Sequence, residues 1–265
     1  MRSLAAYLQI VNMGIQMIAA YRVQAILETA SMLLQVFLLR AIWEAVYAGQ
    51  NQLDGRPLSL VIAYVTIATI QNWLLSPNLA YFLAELVRDG SVGIELVRPV
   101  PFLGRLLAQQ GGETAFALPF AIASFPLAVW LGGMLPPASP AAATLYVLSF
   151  GLGYGIMVLI GLMIGLASFW TIEIYGFVMI YRLVSAFFGG ALIPLWFFPS
   201  QLSAVADWLP FQSMLFVPIA IYLGQLTGGE AARAIVLQLL WILALYVGVQ
   251  AVWRHAMRRV VVQGG

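Results

Sequence analysis

The chain has 265 residues, of which 63% are hydrophobic and 8% charged, with a formal net charge of +2 and a mean hydropathy of +0.95. Soluble domains carry about 25% charged residues, so the composition excludes that class; it describes one polytopic membrane domain, with no stretch polar enough to form a second unit. Cysteine and lysine are both absent, which excludes disulfides, thiolate metal sites and cysteine nucleophiles.

Residues 1–21 set Gln9, Asn12 and Gln16 at helical spacing in an apolar field, the pattern of an interfacial helix lying along the membrane. No A-x-A-like site follows, so a cleaved signal peptide is not expected. The first span is expected over 23–47, enough for the ~20 residues a bilayer requires. The turn-rich AGQNQLDGRP loop ends it, and a second span covers 58–75 up to Ser76-Pro77-Asn78.

Residues 84–114 then break the apolar pattern. They hold Glu85, Arg88, Asp89, Glu95, Arg98, Arg105 and Glu113, seven of the 22 charged residues in the chain. Such a segment belongs in water. Further spans are expected over 115–130, 144–170, 176–198 and 234–253, the third closed by the GGMLPPASP cluster. Residues 199–233 contain Asp207, Pro210, Pro218 and Gly224, and read as short re-entrant or surface helices, because broken backbone at membrane depth survives only where protein or water covers it. The predicted fold is therefore an all-α polytopic membrane protein: six transmembrane helices, an N-terminal interfacial helix, and short re-entrant or extracellular helices before the last span.

All twelve basic residues are arginine. On these six spans Arg2, Arg22, Arg88, Arg98, Arg105, Arg182, Arg254, Arg258 and Arg259 fall on one side, while Arg56 and Arg233 fall on the other and Arg40 lies within span one. The arginine-rich side is predicted to be cytoplasmic, placing both termini and the 84–114 segment there.

Candidates for chemistry are few, and no catalytic set or metal site is expected. His255 stands among Arg254, Arg258 and Arg259 without the partners that a metal or a triad needs. A P-loop requires a lysine reaching the β- and γ-phosphates, so any ATPase must be another chain. Arg40 and Glu44 are four apart and positioned to pair on one helix face, while Glu28 and Arg182 read as anchors snorkelling toward the interface. Gly151, Gly155, Gly161 and Gly165 form two G-x-x-x-G spacings in the fourth span, a helix-packing surface inside the chain or at a dimer seam.

These features, together with Tyr21-Arg22 entering span one, DGSVGIELVRPV at 89–100, ASFWT at 167–171, PLWFFPSQLSAVADWLPF at 194–211, Pro218 with Leu223-Gly224, and the arginine-rich tail ending QGG, resemble the permease subunits of bacterial ABC-2 type exporters, the small six-span group without a fused ATPase. The resemblance implies a multi-pass protein of the bacterial plasma membrane. It implies pairing with a second copy or a sister permease, two cytosolic ABC ATPase subunits that bind the ATP and Mg, and a small amphipathic or hydrophobic substrate; no cofactor in this chain and no nucleic acid are expected. It further implies that the loop between spans two and three is a coupling helix docking on the ATPase. Arg88, Asp89, Glu95 and Arg98 would make the contacts, Gly90 and Gly93 would let the chain turn, and Pro99 would end the helix.

The residues themselves leave two other classes open. An ion- or proton-coupled secondary carrier would show paired halves and buried acidic residues, and neither is evident. A membrane enzyme would need clustered His, Asp or Glu at one interface, where this chain has one histidine.

Overall fold

The computed structural model describes residues 22–263 except Pro77 and Ile172, together with the isolated positions 9, 11–13 and 16. The expected interfacial helix over 1–21 lies outside the described residues. The elements in chain order are α1 (Arg22–Tyr47), a two-stranded hairpin of β1 (Gln52–Leu53) and β2 (Arg56–Pro57), α2 (Leu58–Leu74), α3 (Asn78–Arg88), α4 (Val92–Leu96) and α5 (Phe102–Gly132). There follow α6 (Pro140–Leu166) with a 3-10 turn at Ala167–Phe169, and α7 (Tyr175–Phe188) with a 3-10 turn at Leu195–Phe197. Then come α8 (Ser200–Asp207), α9 (Phe211–Met214), α10 (Phe216–Tyr222) and α11 (Gly228–Gln263).

The fold is all-α and polytopic. Among the described residues, five helical stretches are long and apolar enough to cross a membrane: Ile26–Tyr47, Leu58–Arg88, Phe102–Trp130, Pro140–Phe169 and Gly228–Arg259. Where the sequence predicts a fifth span over 176–198, the apolar helix has only 14 residues. At 1.5 Å per residue it covers about 21 Å of a hydrocarbon core about 30 Å thick. It stops because Gly189 and Gly190 turn the chain, with Gly190 at φ +85°, and because Pro194 lies just beyond. Residues 200–222 form the short helices α8, α9 and α10, in keeping with their Pro content, whereas 228–233, expected in the same broken region, are already the first turns of α11.

The centre of the molecule is α2. Every residue from Leu60 to Gln71 is buried, the mark of a helix surrounded by protein rather than lipid. Its neighbours include α1, α5 and α10. The polar groups of the buried long helices meet the broken backbone that follows α7. Tyr64 Oη donates to the Gly190 carbonyl at 3.0 Å, Gln71 Nε2 to the Met214 carbonyl at 2.9 Å, and Gln238 Nε2 to the Ser213 carbonyl at 2.7 Å. Buried carbonyls need such partners, and amide side chains from intact helices supply them.

The two ends of the bundle differ. One gathers Phe102, Phe169 and Trp253, with the Phe102 and Trp253 rings stacked at 5.2 Å, and Arg259 lies over Trp170 at 5.9 Å. The other end gathers the hairpin, the 3-10 turn at Leu195–Phe197 and the end of α10. There Tyr47 donates to the Arg56 carbonyl, Arg56 bonds Gln225, and Trp43 stacks on Phe197.

Candidate functional site

Two features carry chemistry: the charged end and a polar cleft within the spans. At the charged end, α3 stops when Asp89 N–H bonds the Glu85 carbonyl and Gly90 turns left-handed at φ +71°, a conformation suited to glycine. One turn of helix, α4, follows, and α5 begins at Phe102 rather than at residue 115. Residues 102–114 of the segment predicted as loop are thus the first turns of a spanning helix.

Glu95 ties these pieces together. One carboxylate oxygen pairs with Arg98 at 3.0 Å, three residues on, and the other pairs with Arg105 of α5. Arg105 is only 8% exposed and lies 5.8 Å over the Phe102 ring, which in turn stacks on Trp253 of α11. The contact chain Glu95–Arg105–Phe102–Trp253 therefore joins α4 to α5 and α11.

Of the residues predicted for partner contact, Arg88, Asp89, Gly90, Gly93, Arg98 and Pro99 are exposed, and Arg88 and Asp89 form a loose pair at 3.6 Å. Glu95 faces inward, occupied by its two arginines. Two residues missed by the sequence reading complete the exposed surface: Ile94 is 67% and Val97 82% exposed. Their signal was present, as apolar side chains three apart inside the charged segment.

The predicted packing glycines of α6 separate. A Cβ on Gly165 would lie 3.1 Å from Ala80 Cα and from Leu83 of α3, and one on Gly155 would lie 3.5 Å from Ile242 of α11. Gly161 is buried, and Gly151 is exposed with open space beside it. Gly153, which lies in the same helix outside both G-x-x-x-G spacings, makes the closest approach of the α6 glycines: its Cβ would fall 2.8 Å from the Met214 carbonyl oxygen.

The second feature is a cleft of about 820 Å³ bounded by α1, the α2–α3 break, α5 and α7. Helix α1 lines it with Gln24, Glu28, Ser31 and Gln35, a stripe at spacings of four, three and four residues. The break contributes Asn72, Ser76 and Asn78, α5 contributes Gln110, Glu113 and Thr114, and α7 contributes Arg182. Trp73, Phe116 and Phe120 supply aromatic wall. Glu28 accepts from Gln24 at 2.8 Å, and Glu113 lies in hydrogen-bond reach of Asn78 and Gln109. Glu28 and Arg182, read from sequence as separate anchors, line one cavity. Among the described residues no group of three or more His, Cys, Asp or Glu could hold a metal ion.

Comparison with curated proteins and with solved structures finds no match. A family model described as "ABC-2 family transporter protein" matches residues 15–264, nearly the whole length, and its membrane-transport character agrees with the five helical stretches, among the described residues, that are long and apolar enough to cross a membrane. The chain belongs to the ABC-2 transporter family.

Proposed function

We propose that this protein is the permease subunit of an ATP-binding cassette exporter. It works in a bacterial plasma membrane with both termini cytoplasmic, pairs with a second copy or a sister permease to enclose the translocation path, and is driven by two separate ATPase subunits that bind ATP and Mg. Hydrolysis belongs to those subunits, since this chain has no lysine from which to build a P-loop.

The observation that carries the reading is the seat of α4. A soluble motor moves spanning helices only through an element fixed to them, and Glu95 fixes α4 to α5 through Arg105. A push on Ile94, Val97 and Arg98 is then delivered to the start of α5 and, through Phe102 and Trp253, to α11. The segment 86–99 supplies both halves of a coupling device: an exposed apolar and charged face outside and a buried ion pair inside.

The test is whether a neighbouring reading frame encodes a P-loop ATPase and whether that ATPase co-purifies with this chain. Arg88→Glu combined with Arg98→Glu is expected to abolish the association while leaving membrane insertion intact. Unchanged association and unchanged ATP hydrolysis in the double variant would refute the coupling role.

A further inference from the structure

We propose that the cleft between α1, the α2–α3 break, α5 and α7 is a binding site for an amphipathic organic cation. This names the cargo class of the permease and rests on the transport reading above. Its volume of about 820 Å³ lies in the range of sites that hold a drug-sized molecule.

The charge of the wall selects the sign of the ligand. Glu28 and Glu113 face Arg182 alone among the charged lining residues, a formal excess of one acidic group. Among the described residues none of the three is in an ion pair. Arg182 has another partner, the Tyr81 ring, 6.0 Å from its guanidinium carbon. Glu113 is less well served, since its Oε2 is buried and makes no hydrogen bond. A buried carboxylate oxygen without a partner is costly, and a cation in the adjoining cleft would supply one.

The shape of the wall selects an apolar body for that cation. Trp73, Phe116 and Phe120 present rings to the same space, and aromatic faces attract cations, tryptophan most strongly. The amide groups of Gln24 and Asn72 are polar but uncharged, so they accept hydrogen bonds from an ammonium without rejecting a hydrophobic portion. The α2–α3 break exists at this depth because the cleft and Gln110 cover its backbone.

Two sources share this chemistry, a soluble amphiphilic cation and the ammonium headgroup of a lipid. The experiment is equilibrium binding of tetraphenylphosphonium to the full chain, without ATPase, in phosphatidylglycerol nanodiscs with empty discs subtracted. Saturable binding that the isosteric anion tetraphenylborate does not displace is the expected result, weakened about tenfold or more, some 1.4 kcal/mol, by Glu113→Gln and by Glu28→Gln. Repeating it with phosphatidylethanolamine in the disc separates the sources: lost affinity assigns the lipid headgroup, unchanged affinity the soluble cation. No binding above empty discs, equal or tighter binding of tetraphenylborate, or full affinity in both glutamine variants overturns the proposal. If Glu113→Gln does not yield monodisperse protein, the wild-type preference between the two ions decides. Loss of ATPase association leaves this measurement untouched, so the two proposals fail separately.

Discussion

The Oε1 atom of Gln110 accepts the backbone N–H of Leu79 at 3.0 Å, in a buried position 31 residues away along the chain. This bond lets α3 start inside the membrane domain, because the first N–H groups of any helix lack intrahelical acceptors and no water need be recruited. The Gln110 carbonyl is also engaged, accepting from Thr114 at 3.0 Å while the Thr114 and Tyr154 hydroxyls meet at 2.7 Å. Gln110→Leu is expected to lower stability by about 1–3 kcal/mol, the cost of an orphaned buried donor, whereas Gln50→Leu at an exposed position should stay within about 0.5 kcal/mol of the parent. Thermal unfolding of the two variants in one detergent checks the order.

Two glycines of α6, two residues apart, should respond oppositely to alanine. At Gly153 the added carbon would meet the Met214 backbone at 2.8 Å, which neither side can yield, and overpacking of that kind costs about 1–3 kcal/mol. At Gly151 there is nothing within 4 Å, so the helix propensity of alanine over glycine, up to about 1 kcal/mol, has no opposing term. Melting temperatures moving in opposite directions are expected, and a shift of the same sign in both would contradict the packing described.

Glu95 and Arg98 share an ion pair, yet their removal should not be equivalent. Arg98→Gln loses an exposed partner, a contact worth less than about 1 kcal/mol. Glu95→Gln strands the Arg105 guanidinium, which is already short of one partner at Nη1, and stranding a buried charge costs on the order of 3 kcal/mol. Chemical denaturation of the two variants measures the difference. Comparable losses would mean that Arg105 finds another acceptor.

Val97→Asp separates docking from folding. The side chain is 82% exposed, so stability should stay within about 0.5 kcal/mol of the parent. Association with the ATPase should fall sharply if this face is the docking surface. Full retention of the ATPase would remove Val97 from the interface.

Much of the fold is legible in the sequence because hydropathy and proline placement act locally. The long apolar runs, the loop at GGMLPPASP and the short helices after Pro199 follow from residues adjacent in the chain. Three features escape that logic. The start of α5 at Phe102 depends on Arg105 being neutralised by Glu95, which brings a charged turn into a helix that hydropathy alone begins later. The shortness of α7 depends on the Gly190 carbonyl finding Tyr64, 126 residues away. The cleft depends on four segments converging, so Glu28 and Arg182 read as separate anchors and Glu113 as part of the charged loop until their helices are assembled. The α1 stripe of Gln24, Glu28, Ser31 and Gln35 was the available clue, a polar line along the first half of a helix whose Arg40–Glu44 pair lies near its other end.

The enclosed position of α2 also dictates an order of events at the ribosome. Gln71 takes its carbonyl partner from Met214, 143 residues later in translation, and Tyr64 takes its own from Gly190. Until those residues emerge, the central helix sits in the bilayer with an amide and a phenol unmatched, and must be either shielded or recognised as incomplete. A chain that ends before Met214 therefore leaves the Gln71 amide without this carbonyl partner, and the central helix is complete only when the last third of the chain has arrived.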